Sequence, residues 1–237
     1  MKIVVFGMGY VGIPAAALFA DVPDFHVTGI QRRSKRSGWK IDALNKGENP
    51  IGGDEPGLDE LLRRVHQKGS FTVTDDLTAV KEADAILIDV QTPTESDHQP
   101  RYESLIEVSR QVGDLMSPNT LVCIESTVAP GTTENLVLPI LEETSGMKAG
   151  KEFFLAFAYE RVMVGRLLFN ITNLPRIVGG IDKESTLRGR DLYQNIVKSD
   201  IHLTDSLTAE VAKTVENTYR DVNIAFANEV ALICESL

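Results

Sequence analysis

The stretch that decides the fold is KIVVFGMGYVG at residues 2–12. An uninterrupted apolar run opens it, which is typical of a strand buried on both faces. Three glycines follow with the GxGxxG spacing of a dinucleotide-binding turn. The first permits a tight turn, the second lets backbone approach a pyrophosphate, and the third lets the next helix pack on the strand. A glycine-rich turn without a ligand is the alternative. The residues predicted to hold a dinucleotide are Gly7, Gly9, Tyr10, Val11 and Gly12.

Apolar runs alternate with amphipathic segments along the rest of the chain. Further strands are predicted at residues 25–30, 71–73, 85–89, 121–124, 153–157 and 177–178. Helices are predicted at residues 10–20, 37–45, 57–67, 102–116, 132–143 and 183–195. Continuous apolar strands joined through helices indicate a mostly parallel sheet covered on both faces. The predicted fold class is therefore α/β, with a Rossmann-like, doubly wound sheet.

The composition excludes several classes of protein. The 237 residues are 43% hydrophobic and 24% charged, and 24 Lys and Arg against 34 Asp and Glu give a net charge of −10. Such an acidic chain argues against nucleic acid or a membrane surface as a partner. Two cysteines are too few for a disulfide framework or a cysteine-rich zinc site, so we expect a cytoplasmic protein without a metal. Residues 3–20 carry no charge, but glycines and a proline interrupt them, which argues against a signal or membrane helix.

The last segment differs from the rest. Residues 208–237 contain no Gly or Pro and form one helical pattern with an apolar stripe. A helix of this length exceeds what a domain of this size usually needs, so we expect it to reach toward a further part of the protein. The predicted division is a dinucleotide-binding domain at residues 1–203 and, at residues 204–237, a long helix that begins a further region.

A basic cluster stands where a ribose-binding acid is expected. An Asp or Glu usually lies about 20 residues after the glycine motif, but Gln31 occupies that position. Two interpretations remain open. Arg32 and Arg33 could hold the 2′-phosphate of NADP, or the cluster is a solvated loop and Gln31 alone contacts the ribose. The basic residues of the cluster are Arg32, Arg33, Lys35, Arg36 and Lys40.

Two strands end in loops rich in hydroxyl groups, VQTP at residues 90–93 and ESTVAPGT at residues 125–132. Loops at the carboxyl ends of parallel strands line the ligand crevice. Their hydroxyl groups can bind a cofactor, a substrate or an ordered water, and Thr92, Pro93 and Thr127 are the candidates. Ordinary turn and helix-cap chemistry explains the same composition.

Charged residues stand at two further positions. Glu160 and Arg161 follow a predicted strand and could serve as acid or base and anion binder, or form a mere surface pair. On the last helix, Lys213, Asn217 and Arg220 lie at steps of four and three, on the side away from the apolar stripe. Their alternative interpretation is a solvated helix face.

Several segments together resemble the UDP-glucose/GDP-mannose dehydrogenase family, in the branch that acts on UDP-N-acetylhexosamines. The matching segments are GMGYVG from Gly7, EPGLDELL from Glu55, QTPT from Gln91, STVAPGTTE from Ser126, YERVMVGRLLFN from Tyr159, PRIVGG from Pro175 and AKTVENTYRDVNIAFANE from Ala212. They run in order through nearly the whole chain, which makes the resemblance specific.

The resemblance implies oxidation of C6 of a nucleotide sugar, UDP-N-acetylmannosamine above all, to the carboxylate with NAD as cofactor. By motif position, Thr127 would position water and Glu160 would be the acid and base of hydrolysis. Lys213 and Asn217 would stabilise the oxyanion at C6, a task suited to a fixed cation and amide. Arg161 and Arg220 become candidates for substrate contacts. The resemblance also implies that the helix at residues 204–237 begins a central region, and that the whole protein forms a homodimer through it.

The chain departs from the family pattern at three points. Tyr159 replaces a proline, Gln31 replaces the acid that favours NAD, and the family's catalytic cysteine belongs to a segment beyond the long helix. Cys234 lies on that helix beside the apolar stripe, so we expect a core thiol and no turnover from this chain alone. A hydroxyacid dehydrogenase of the 6-phosphogluconate type and a non-catalytic nucleotide-binding module are the competing hypotheses.

Overall fold

The computed structural model describes residues 1–94, 97 and 99–237. In this part of the chain, the strands are β1 (Lys2–Phe6), β2 (His26–Ile30), β3 (Phe71–Thr74), β4 (Ala85–Ile88), β5 (Leu121–Ile124), β6 (Phe154–Phe157), β7 (Arg176–Gly180) and β8 (Ile201–Asp205). These eight strands form one sheet in the order β3-β2-β1-β4-β5-β6-β7-β8.

Strand direction decides where a site can form. All neighbouring strands are parallel except β6 and β7, which pair antiparallel. The chain extends from β1 through β2 to β3 on one side and returns to β4 on the other. The crevice of a doubly wound sheet opens at such a reversal, beyond the carboxyl ends of the strands.

Helices cover both faces of the sheet. They are α1 (Gly12–Asp21), α2 (Trp39–Leu44), α3 (Leu58–Lys68), α4 (Glu103–Leu115), α5 (Leu138–Ser145), α6 (Leu167–Asn173), α7 (Lys183–Tyr193) and α8 (Ser206–Ser236). Alternate residues of each strand enter opposite apolar clusters, because strand side chains point to the two faces in turn. Ile3 and Val5 of β1 pack with α1 and α3, whereas Val4 and Phe6 pack toward α4 and α5. The predicted α/β, doubly wound class is confirmed.

Some elements lack a signal in the apolar pattern. A 3₁₀ helix at Leu77–Glu82, the short helix α6 and the edge strand β8 were not predicted. Strand β8 lies at the edge of the sheet and none of its residues is fully buried, so its sequence is not the continuous apolar run of a strand covered on both faces. It spans the boundary placed at residue 203, and the structural junction lies at Asp205, whose side chain accepts a hydrogen bond of 2.8 Å from the backbone N–H of Thr208. The division into two regions stays a prediction.

Helix α8 leaves the sheet after two turns. Its buried residues are Ser206, Ala209, Glu210 and Lys213, and beyond them the apolar stripe is exposed. Glu210 fixes the helix by accepting hydrogen bonds from the backbone N–H groups of Gly131 and Thr133. At about 1.5 Å per residue, the rest of the helix projects far from the sheet. Cys234 is exposed on it, so the prediction of a core thiol is wrong for this chain.

Candidate functional site

Two of the three glycines in the turn have no space for a side chain, whereas the third lies beside open space. Gly7 has a φ of +99°, and a Cβ there would lie 2.2 Å from the carbonyl oxygen of Asp89. A Cβ on Gly12 would lie 2.0 Å from the carbonyl oxygen of Gly7, whereas one on Gly9 would meet nothing within 4 Å. The turn therefore packs tightly on β4 and leaves a cradle above Gly9 that any side chain would fill. This geometry fits the pyrophosphate of a dinucleotide.

The start of α1 adds to this fit. Its N-cap, Val11, makes no side-chain capping hydrogen bond, so the helix terminus presents backbone N–H groups toward the cradle. Tyr10 is exposed and donates a hydrogen bond of 3.3 Å to the carbonyl oxygen of Gly52. Lys40 donates one of 2.9 Å to the carbonyl oxygen of Met8. This lysine was noted only as part of the basic cluster, and burial lowers its pKa.

The end of β2 holds Gln31 in place. Its side-chain oxygen accepts a hydrogen bond of 3.3 Å from the backbone N–H of Met8, and its amide donates one of 3.1 Å to Ser37 Oγ. Arg32 and Arg33 are exposed and already face carboxylates: Arg32 lies 3.8 Å from Glu107. Arg33 lies 3.3 Å from Asp75 and 3.9 Å from Asp42. A 2′-phosphate would compete with these ion pairs, which favours the solvated-loop interpretation.

The hydroxyl-rich loops after β4 and β5 are joined to each other. Thr92 Oγ1 donates a hydrogen bond of 2.6 Å to the carbonyl oxygen of Thr127. Ser126 Oγ bonds to the carbonyl oxygens of Val90 at 2.7 Å and Ile88 at 3.2 Å. Thr127 and Pro93 remain exposed at the crevice edge. The structure therefore brings the loop candidates together, with the Thr127 side chain directed to solvent.

Glu160 and Lys213 meet although 53 residues separate them. Lys213 Nζ donates a hydrogen bond of 2.7 Å to the backbone carbonyl of Glu160, and both residues are buried. Burial raises the pKa of Glu160, while the charges of Lys213 and Arg176 act in the opposite direction. Burial likewise lowers the pKa of Lys213. The ring of Tyr159, the residue in place of the family's proline, lies 5.1 Å below the ammonium group. The solvated-face interpretation is therefore wrong for Lys213.

Arg161 is engaged within the protein. Its guanidinium forms an ion pair with Glu216 at 2.5 Å, lies 3.2 Å from the Tyr159 hydroxyl, and donates to the carbonyl of Pro175. To contact a substrate anion, it would have to share or leave Glu216. Asn217 and Arg220 are exposed. Arg161 and Arg220 line one groove beside α8, so these two candidates share a surface.

Sequence reasoning missed a buried group of charged residues. Arg176, the first residue of β7, donates hydrogen bonds to Glu125 and, at 2.6 Å, to the carbonyl oxygen of Ala158. Tyr193 donates one of 2.9 Å to the same Glu125 oxygen. Asp89 follows β4 nearby. Because β7 runs antiparallel to β6, its first residue lies at the carboxyl ends of the other strands. The only signal was the strand-end position of Asp89 and Glu125.

A second missed residue is Glu55. Its buried carboxylate accepts hydrogen bonds from the backbone N–H groups of Gly165, at 2.8 Å, and Leu167, at 2.5 Å. It thereby ties the segment before α3 to the loop that follows Glu160 and Arg161. EPGLDELL was noted as a matching segment, but only the tertiary structure gives its first residue a role.

The two cysteines lie in different environments. Cys123 is buried in β5, where burial raises its pKa to about 12, and Cys234 is exposed on α8. In the described part of the chain, no group of three or more His, Cys, Asp or Glu is arranged to bind a metal ion. Nor does any helix there combine the length and apolar character needed to cross a bilayer.

The fold and the glycine cradle define the class as a dinucleotide-binding domain of the Rossmann type, extended by a long helix. Residues 1–197 match the NAD binding domain of the UDP-glucose/GDP-mannose dehydrogenase family, and residues 207–237 match its central domain. The chain belongs to this family, and the predicted NAD cofactor is confirmed.

Similar proteins support the same conclusion. UDP-N-acetyl-D-mannosamine dehydrogenase of Pyrococcus horikoshii is 40% identical over 98% of this chain and 54% of its own length. The structure of NDP-N-acetyl-D-galactosaminuronic acid dehydrogenase from Methanosarcina mazei shares 51% identity, with a TM-score of 0.90, over 98% of this chain and 50% of that one. The structure of a ternary complex of GDP-mannose dehydrogenase from Pseudomonas aeruginosa shares 29% identity, with a TM-score of 0.87, over 97% of this chain and 52% of that one. The chain spans about half the length of the relatives it matches.

Proposed function

We propose that this chain is the cofactor-binding part, with half of the catalytic site, of a nucleotide-sugar 6-dehydrogenase that uses NAD. The whole protein would oxidise C6 of a UDP-N-acetylhexosamine to the uronic acid. The observation that carries the proposal is the contact of Lys213 with Glu160. It places a buried ammonium group within electrostatic reach of the buried Glu160 carboxyl group, at the carboxyl edge of the sheet.

The proposed roles follow from these environments. The cofactor, when bound, accepts hydride from the carbon that is oxidised. Burial raises the pKa of Glu160, and a carboxyl group that holds its proton more readily than usual suits the acid and base of hydrolysis. Lys213, aided by Asn217, would stabilise negative charge on the C6 oxygen. Thr127, exposed at the crevice edge, would hold the attacking water.

The substrate proposal rests on the similar proteins. The Pyrococcus horikoshii relative makes UDP-N-acetylmannosamine the first candidate, and the Methanosarcina mazei structure makes the N-acetylgalactosamine counterpart the second. Both names contain a nucleoside-diphosphate N-acetylhexosamine or its uronic acid, and the first names UDP as the nucleotide. The groove lined by Arg161 and Arg220 offers cations for the diphosphate of such a molecule.

We further propose that this chain binds the cofactor without completing the oxidation. Retaining an aldehyde-level product requires a nucleophilic thiolate beside C6. Cys123 stays a thiol because burial raises its pKa to about 12, and Cys234 lies on the projecting part of α8. The exposed apolar stripe of that helix supports a homodimer of the whole protein. The two free thiols favour the cytoplasm.

The test combines this chain with the separately expressed C-terminal half of a family member. Each sugar is added with excess NAD⁺, and the absorbance of the reduced cofactor is followed. We expect no sustained reduction by the chain alone and two reduced cofactors per sugar once the second half is supplied. Sustained turnover by the chain alone, lost on Cys234→Ser, would show that the proposed division of the site is wrong. Oxidation of neither sugar by the combined halves would contradict the substrate class.

A further inference from the structure

Two buried carboxyl groups lie side by side beneath the cofactor cradle, and only one of them has a cation. Glu125, at the end of β5, accepts hydrogen bonds from Arg176 and Tyr193. Asp89, at the end of β4, has both carboxylate oxygens shielded from solvent, and no donor group of the described residues lies within hydrogen-bond distance of them. We call Asp89 and Glu125 the carboxyl pair. A second negative charge in this pair would have no hydrogen-bonded cation of its own.

The surroundings of the carboxyl pair favour one proton between its members. Burial raises the pKa of Asp89 well above its usual range, and the charges of Glu125 and Glu160 act in the same direction. Arg176 acts against them, but its guanidinium is already bound to Glu125. Two like charges this close cannot both ionise cheaply in a shielded site.

The other titratable groups near the carboxyl pair differ in their response to pH. Cys123 and Tyr193 face Glu125 and stay protonated near neutral pH, because burial raises both pKa values. Lys213 faces Glu160 from α8, and burial lowers the pKa of this lysine. Substitution of Asp89 therefore distinguishes a proton of the carboxyl pair from one held by Glu160 or Lys213.

The position of Asp89 connects the carboxyl pair to the cofactor. Its backbone packs on the first glycine of the cradle, since a Cβ on Gly7 would lie 2.2 Å from the Asp89 carbonyl oxygen. Its own Cβ would lie 3.5 Å from a Cβ on Gly12. Charge bound at the cradle and along the adjacent crevice therefore acts on Asp89 through a short, water-poor path, where electrostatic interactions are strong.

We propose that the carboxyl pair holds one proton when the cofactor is reduced and releases it when the positively charged oxidised cofactor binds. In the release, the carboxyl O–H bond breaks, its electrons stay on oxygen, and the proton passes to solvent. NAD⁺ and NADH differ by one positive charge on the ring, so the two complexes should differ in bound protons. If the proposed function is right, the vacant carboxylate then takes up the proton that the substrate hydroxyl loses as hydride leaves its carbon. The exchange with solvent needs only the cofactor.

The test is isothermal titration calorimetry of this chain with NAD⁺ and with NADH, in two buffers of different ionisation enthalpy. We expect NAD⁺ to release up to one proton more than NADH. The ratio of the NAD⁺ to the NADH dissociation constant should fall with rising pH, by up to about tenfold per unit. Asp89→Asn keeps the shape and removes the proton site, so the difference should vanish. Asp59→Asn, an exposed change on α3, should leave it intact.

Equal proton release by NAD⁺ and NADH in the parent chain would overturn the proposal, as would an undiminished difference in a folded Asp89→Asn variant. Circular dichroism establishes whether that variant folds. If the variant does not fold, the parent chain alone provides the test. A ratio of the NAD⁺ to the NADH dissociation constant that does not change from about pH 5 to pH 9 then overturns the proposal. No sugar is present in these measurements, so a failure of the proposed sugar oxidation leaves their outcome unchanged.

Discussion

The ammonium group of Lys213 donates a hydrogen bond of 2.7 Å to the carbonyl oxygen of Glu160. The first residue belongs to the helix that leaves the sheet, and the second to a strand end within it. This contact joins α8 to the segment that follows β6 and holds a cation within electrostatic reach of the Glu160 carboxyl group. Both side chains are buried, so the contact couples the packing of α8 to the charge of the site.

Loss of that lysine should change the acidity of Glu160. Lys213→Ala removes a positive charge that lowers the pKa of Glu160, so the pKa should rise further and the carboxyl group should ionise at higher pH. Carbon-detected NMR titration of the Glu160 carboxyl group measures the change. Lys151→Ala, an exposed lysine on another loop, is the control. An unchanged Glu160 titration in a folded Lys213→Ala variant would contradict the electrostatic coupling.

Gly9→Asp should abolish NAD binding without unfolding the chain. A Cβ at Gly9 meets nothing within 4 Å, so the fold tolerates the side chain, while the carboxylate fills the cradle and repels the pyrophosphate. We expect at least a hundredfold loss of affinity, about 2.7 kcal/mol, by calorimetry. Gln67→Glu adds the same charge on the exposed face of α3 and should bind as the parent does. Unchanged affinity in Gly9→Asp would remove the glycine turn from the site.

Cofactor choice should depend little on the basic cluster. Arg32 and Arg33 already face carboxylates on the surface, so replacing them and Arg36 with alanine should alter NAD affinity by less than about threefold. NADP should bind more weakly than NAD to the parent. The comparison is made by calorimetry at low and high salt, since exposed charges are screened. Stronger NADP binding, lost selectively in the triple variant at low salt, would assign the cluster to the 2′-phosphate.

Asp89→Asn should stabilise the chain near neutral pH. The folded pKa of Asp89 lies well above its usual range. The stability linked to its proton is therefore fully present below the unfolded pKa and lost as pH rises through the folded pKa. The asparagine variant avoids this loss, so its Tm should exceed that of the parent at pH 7 and approach it near pH 4. Asp59→Asn should follow the parent throughout. A parallel Tm profile for parent and Asp89→Asn would show that Asp89 ionises normally in the fold.

Glu55 should hold the loop after Glu160. Glu55→Ala leaves the buried N–H groups of Gly165 and Leu167 without their acceptor, at a cost of about 1–3 kcal/mol each. Amide hydrogen exchange at these two residues should accelerate, whereas Asp54→Ala, an exposed neighbour, should leave it unchanged. Slow exchange in the Glu55→Ala variant would show that another group holds the loop.

The sequence by itself determined those parts of the structure whose conformation depends only on residues close by in the chain. The glycine spacing after β1 requires a tight turn with an open cradle, because backbone geometry at these positions depends on the absent Cβ atoms. Continuous apolar runs determined the central strands, because a strand that is buried on both faces carries apolar side chains on both of them. The edge strand β8 and the short helix α6 lack that signal, and their existence depends on what packs beside them.

Tertiary structure alone decided which polar residues meet. Arg176 reaches Glu125 because β7 runs antiparallel to β6, and no spacing in the sequence states that direction. The pKa of Asp89 is raised because groups from other strands bury its carboxyl group. Lys213 and Asn217, one helical turn apart, end in opposite environments, since α8 rests on the sheet only over its first turns. The sequence supplied the residue types and the strand ends. Burial and nearby charges set the pKa of a carboxyl group, and both arise only when distant segments of the chain pack together.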